Sequence, residues 1–338
     1  MAEKRNPAVV CCRTVSMIMI VLCHIIGFYS FIPGHGFLGQ VFNVGVFSFL
    51  AISGYLYGRK NITDWPVWFR KRCTTVLIPA LCLTVVVMFI RLCSGKNHDG
   101  ISMMLYLLNL QGLGFLIPGV YRWFREVEVL GPLWFITVIM LCYCLVPALQ
   151  KLRSRICGMK HRCLAAAGAT VIAFAVLVLS GVNVVYFLTF AVGYYLAAKD
   201  SIKQTRWVHV IALSGFMLTA QVIRLLLWAL CDGTPLYQGY TQISQMVLGI
   251  WILCAFLWMG ECLPGFIGML AEQKLVATAD KLSFYVYLTH CCFCRGTWNF
   301  YERTDNILLA TVGFAVATLF ATIILKKIAT TLQRYLDR

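Results

Sequence analysis

Two basic residues could do chemistry inside an otherwise apolar stretch. Arg13 and His24 stand eleven positions apart in one such run near the N-terminus. At ~100° per residue this is three turns plus about 20°, so both side chains leave the same face of a helix with a rise of ~16 Å between them. Ionisable groups in a membrane span cost several kcal/mol and therefore point to function. A cation at the mouth and an imidazole half-way down one wall suit a tunnel that grips an anionic donor by its phosphates. The plain alternative has Arg13 snorkel to lipid phosphates and His24 hydrogen-bond a neighbouring helix.

Further groups extend this pattern. His290 lies in a later apolar run at a depth comparable with His24, where it could orient His24, contact a substrate or brace a bundle. Arg70, Lys71 and Arg72 form a basic stretch that could clamp a pyrophosphate or anchor a loop. Ser53-Gly54 would let a neighbouring helix approach closely. Trp134, at the end of its run, could be an interface aromatic or a stacking platform for a sugar. Arg224 lies inside a run without a supporting motif. The sixteen cysteines mostly sit in apolar runs, where a thiol packs as a small hydrophobe. The Cys11-Cys12 and Cys291-Cys292-x-Cys294 clusters lack the paired spacing of a zinc site, so no metal is expected.

The elements that must position these groups are membrane helices. Of 338 residues, 60% are apolar and 12% charged, and mean hydropathy is +0.80. Soluble domains run at ~45–50% apolar and ~25% charged, so a soluble enzyme, a disordered chain and a fibrous protein are excluded. The net charge of +16 alone would suit nucleic acid. In so apolar a chain it fits loops anchored at an anionic leaflet, and no nucleic-acid partner is expected.

Ten apolar runs approach the ~20 residues a span needs: 8–32, 38–58, 74–94, 130–149, 163–181, 183–199, 207–231, 241–261, 280–298 and 307–328. Segment 101–120, broken by glycines and a proline, reads as an interfacial or re-entrant piece. All 13 acids are read as lying outside these spans, which argues against a proton-coupled pump or transporter. With the N-terminus inside, 21 of the 29 Lys and Arg fall on the inner side and six on the outer, so both termini are expected in the cytoplasm. The expected fold is an all-α, polytopic membrane bundle of about ten transmembrane helices. Residues 1–338 read as a single domain, without internal repeat or heptad seam, and nothing specifies an oligomeric state.

Five patches in order carry a family resemblance. Arg13, ten residues and His24 resemble the first-helix signature of the acyltransferase family 3 integral-membrane proteins. Gly45 to Leu56, ending Ser53-Gly54-Tyr55-Leu56, resembles the family's second-helix run. Trp68-Phe69-Arg70-Lys71-Arg72 with Leu77-Ile78-Pro79 resembles the basic opening of the third helix. Gly131-Pro132-Leu133-Trp134-Phe135 resembles the start of the fourth, and Tyr287-Leu288-Thr289-His290 the Tyr-Leu-x-His run near the domain's end. These core motifs run from 13 to 290.

The resemblance implies an O-acyltransferase that moves an acyl group, most often acetyl, from cytoplasmic acetyl-CoA or another acyl-CoA to a hydroxyl of a cell-surface or lipid-linked carbohydrate. It implies a multi-pass protein in the inner (plasma) membrane of a bacterial cell, with membrane lipids and a glycan acceptor as partners. His24 would be the base or acyl carrier and Arg13 its companion in catalysis. Arg70, Lys71 and Arg72 would hold donor phosphates, while Ser53, Tyr55, Trp134, Tyr287 and His290 would line the site. A flippase for lipid-linked sugars would share the spans and basic loops, and a silent relative would keep the helices without binding donor.

Overall fold

A computed structural model describes residues 5–27, 35–95, 100–117, 120, 127–156, 162–197 and 207–336. Among these residues every regular element is a helix. The helices are α1 (Pro7–Gly27), α2 (His35–Phe42), α3 (Gly45–Gly58), α4 (Trp65–Cys93), α5 (Gly100–Leu107), α6 (Leu113–Leu116), α7 (Trp134–Ile156), α8 (Arg162–Ser180), α9 (Val185–Leu196), α10 (Trp207–Cys231), α11 (Pro235–Cys262), α12 (Pro264–Glu272), α13 (Lys274–Thr289), α14 (Cys291–Cys294) and α15 (Ile307–Leu336).

Seven helices among the described residues are long and apolar enough to cross a membrane, against the ten runs expected. Two of the remaining runs fall short for visible reasons. The run at 183–199 yields only the 12 residues of α9, ~18 Å of helix against a hydrocarbon core of ~30 Å. The run at 280–298 is cut, because α13 stops at Thr289 and α14 has four residues. That helix also starts six residues earlier than the apolar run, at Lys274. Segment 101–120 is broken as expected. Between α5 and α6, Asn109 takes a left-handed φ of 54°, and its carbonyl accepts from Thr137 Oγ1.

Local chemistry sets several helix starts. Asp64 caps α4 by accepting from Val67 N at 3.1 Å, with Pro66 beside it in the first turn. Thr234 does the same for α11 through Tyr237 N at 3.2 Å. Each cap satisfies an N–H that the first helical turn leaves without a partner.

The chain forms two compact units. The first comprises Met1–Cys23, Gly36–Asn61 and Leu145–Lys281; the second comprises His24–His35, Ile62–Cys144 and Leu282–Arg338. In the first unit α3 lies against α9 at backbone distance. A side chain on Gly54 would overlap the Phe190 carbonyl, and one on Gly193 the Ala51 carbonyl. Small residues are what permit such contact in a membrane, where dispersion replaces the hydrophobic drive between helices. Its core joins Cys11 and Cys12 of α1 to Ile52 and Tyr55 of α3, Leu253 and Leu257 of α11, and Ile267 of α12. Arg224 is buried there too, donating from Nη2 to the Gln40 carbonyl at 2.7 Å.

In the second unit α4 packs on α15, where Gln333 Nε2 reaches the Thr74 carbonyl at 3.0 Å. One side of α15 stays uncovered, with Val316 and Phe320 exposed, as suits a helix bathed in hydrocarbon.

Candidate functional site

In the second unit, the end of α13 presents His290 to His24 of α1. An α-helix leaves its last carbonyls without intrahelical partners. Here the His290 ring reaches two acceptor-only carbonyl oxygens of the last turn, with Nδ1 2.7 Å from that of Tyr287 and 3.1 Å from that of Val286, which also accepts from His290 N at 2.9 Å. Nδ1 therefore carries the proton in the neutral ring, and Nε2 carries the lone pair. That lone pair meets His24 Nδ1 at 3.2 Å. The relay assigns the proton of His24 to Nδ1 and its lone pair to Nε2, the form a general base needs. The rings stand 5.0 Å apart at 47°, and His290 is fully buried.

Aromatic side chains brace the pair. The Tyr287 hydroxyl donates to the Pro132 carbonyl, tying the Tyr-Leu-x-His run to the turn that opens α7. Phe135 meets Tyr287 edge-on at 5.4 Å between centroids, and Trp134 contacts Phe135 and Phe115. Trp134 is thus linked to the histidines through successive rings within one unit.

Cys291 adds a thiol, with Sγ 3.4 Å from His290 Nε2. One ligand atom each from His24, His290 and Cys291 lies within 4.8 Å of the others, a grouping that could hold a metal ion. Cysteine spacing pointed away from a metal because two of the three ligands here are histidines, one of them remote in sequence.

In the first unit Arg13 does not stand alone. Its Nη1 lies 3.1 Å from Asp280 Oδ1 of α13, and Arg5 Nη1 lies 2.6 Å from Asp280 Oδ2. The Asp280 side chain is 1% exposed. This corrects the expectation that every acid lies outside the spans, since Asp280 is buried in α13. Asp280 is the first residue of the run at 280–298 and so stands at its margin in sequence, but α13 already starts at Lys274, which carries Asp280 into buried helix.

The other expected residues fall in separate places. Tyr55, also in the first unit, accepts from Arg59 Nη1 at 3.0 Å and lies beneath that guanidinium. Ser53 is half-buried beside the Gly54 contact. Arg70, Lys71 and Arg72 belong to the second unit, at the start of α4. Arg70 donates to the Leu336 carbonyl at 3.3 Å, the Lys71 side chain is exposed, and Arg72 is half-buried.

No solved structure matches the chain. One relative is the succinoglycan biosynthesis protein ExoH of Rhizobium meliloti (strain 1021), 32% identical over 134 residues. That match spans 35% of this chain and about a third, 32%, of the relative. The model of the acyltransferase domain of acyltransferase family 3 matches residues 6–326. On that match, which takes in Arg13, His24, Trp134, Tyr287 and His290, the chain belongs to the acyltransferase family 3 proteins.

Proposed function

We propose that the protein is a membrane O-acyltransferase that moves an acyl group, acetyl in the simplest case, from acyl-CoA on the cytoplasmic side to a carbohydrate hydroxyl. The family supports acyl transfer, and the succinoglycan-related protein supports a carbohydrate acceptor. The single observation that carries the catalytic assignment is the His24–His290 relay. A sugar hydroxyl is a poor nucleophile. As its oxygen bonds to the thioester carbonyl carbon, His24 Nε2 takes the hydroxyl proton, and His290 Nε2 accepts the hydrogen bond from His24 Nδ1 as the imidazolium forms. Collapse of the tetrahedral intermediate breaks the C–S bond, and the departing thiolate takes the proton back from His24.

In this reading His24 is the catalytic residue and His290 a positioning residue, while Arg13 is fixed by Asp280 within the first unit. The protein sits in the plasma membrane with its basic loops in the cytoplasm, where positive charge is retained. The test is acetyl-CoA turnover and acceptor acylation by purified protein in nanodiscs, wild type against His24→Ala, with abundance matched. Acylation that persists in His24→Ala sinks the base assignment.

A further inference from the structure

The cations of the first unit differ in how their charge is met. Arg5 and Arg13 share the carboxylate of Asp280. A second group faces a cavity of about 410 Å³ formed where the turn after α3 meets the C-terminal parts of α7 and α9. Arg59, Lys60 and Arg153 line it together with the amides of Asn61 and Gln150 and the Ser154 hydroxyl, and no carboxylate is among its described lining residues.

Neutral oxygens hold these cations in place without cancelling their charge. Arg59 Nη1 donates to the Tyr55 hydroxyl at 3.0 Å, with the guanidinium carbon 5.6 Å from the centre of the Tyr55 ring. Arg153 Nη1 donates to the Gly58 carbonyl. Gln150 Nε2 donates to Asn61 Oδ1 at 2.7 Å. Gly58 is itself tight, since a side chain there would overlap the Tyr194 carbonyl, so the turn is drawn onto α9 and the basic residues converge. Two guanidinium forks and an ammonium around one concavity match a phosphate in charge and geometry. The volume falls in the ~300–1,000 Å³ range of small-molecule sites.

We propose that this cavity is a phosphate-binding site for an organic phosphate ester. Its occupant is the phosphorylated adenosine end of the acyl donor, a choice that rests on the acyl-CoA reading above, or the headgroup of an anionic phospholipid. The shared chemistry is the same: a phosphate clasped by Arg59, Lys60 and Arg153. It is a different phosphate site from Arg70, Lys71 and Arg72, to which the family resemblance assigns the donor phosphates.

Intact protein in zwitterionic nanodiscs is titrated with adenosine 3′,5′-bisphosphate. In a second arm, nanodiscs containing phosphatidylglycerol are used and retained lipid is counted by native mass spectrometry. Lys60→Gln removes an exposed charge, and is expected to weaken phosphate binding about fivefold; adding Arg153→Gln should weaken it further. A response of the bisphosphate alone assigns the site to the donor, and a response of the lipid alone assigns it to the headgroup. If neither ligand responds in variants that keep the wild-type melting temperature, the proposal is overturned. Wild-type protein that binds the bisphosphate in a Lys60-dependent manner yet transfers no acyl group would overturn the proposed function and leave this site standing.

Discussion

His290 Nε2 accepts from His24 Nδ1 at 3.2 Å while the other nitrogen of His290 caps the last carbonyls of α13. One imidazole thereby closes a helix and selects the tautomer of another. In the proposed function the two histidines differ by role, with His24 taking the substrate proton and His290 holding His24 in place. His24→Ala should lower kcat by about 10²–10⁴-fold, the usual worth of general acid–base catalysis. His290→Ala should lower it by less, about 10–10²-fold, with donor KM unchanged. Equal losses in both variants, or a loss in His290→Ala that appears only in KM, would contradict the division of roles.

Asp280 links Arg5 and Arg13. The Arg5 side chain is 60% exposed and that of Arg13 24%, so solvent screening keeps the loss below the ~3–5 kcal/mol typical of a fully buried pair. Asp280→Asn should cost about 1–3 kcal/mol and lower the yield of monodisperse protein in detergent. Because the residues share one carboxylate, adding Arg13→Gln to Asp280→Asn should cost less than the sum of the single changes. Strict additivity of melting temperatures would show that the contact does not couple them.

The membrane character, the helical class and the motif-bearing residues were all legible in the sequence, because apolar run length and short patches are local properties. The His24–His290 contact was not, since it joins segments 266 residues apart and neither neighbourhood signals the other. Asp280 was missed because it stands at the margin of the run 280–298 while α13 starts at Lys274, and Cys291 was hidden by a cluster that reads as packing. The run at 183–199 looked like a span because composition alone does not show that the helix keeps to Val185–Leu196. The cavity was out of reach for the same reason as the histidine pair: the turn at 58–61 and the ends of two later helices supply its charges, and each reads alone as positive-inside anchoring.

The α3–α9 contact should tolerate no side chain. Gly54→Ala and Gly193→Ala each place a methyl group into the facing helix backbone, and overpacking of this kind costs about 1–3 kcal/mol. Gly168→Ala, at a position with nothing within 4 Å, is the control and should leave stability unchanged or slightly raised through helix propensity. Thermal unfolding followed by size-exclusion chromatography separates these outcomes. Wild-type stability in both Gly54→Ala and Gly193→Ala would mean that the two helices do not touch at these glycines.

Zinc should inhibit transfer through the histidine pair. A tetrahedral ion with Zn–N of ~2.0–2.1 Å and Zn–S of ~2.3 Å sets its ligand atoms about 3.3–3.6 Å apart. His24 Nδ1 and His290 Nε2 are 3.2 Å apart, and Cys291 Sγ is 3.4 Å from His290 Nε2. The His290 Nδ1–H bonds to the carbonyls of α13 are the outer support that metal-binding imidazoles usually have. An ion bound at His24 Nδ1 forces the ring proton onto Nε2 and removes the lone pair that accepts the hydroxyl proton. Inhibition should therefore lower kcat, reverse on chelation and weaken about tenfold or more in Cys291→Ser, which keeps both imidazoles. The check is acyl transfer across a zinc titration, with bound metal counted in wild type and Cys291→Ser. Inhibition of equal strength in both proteins would show that Cys291 is not a ligand of the inhibitory zinc and sink the three-ligand site.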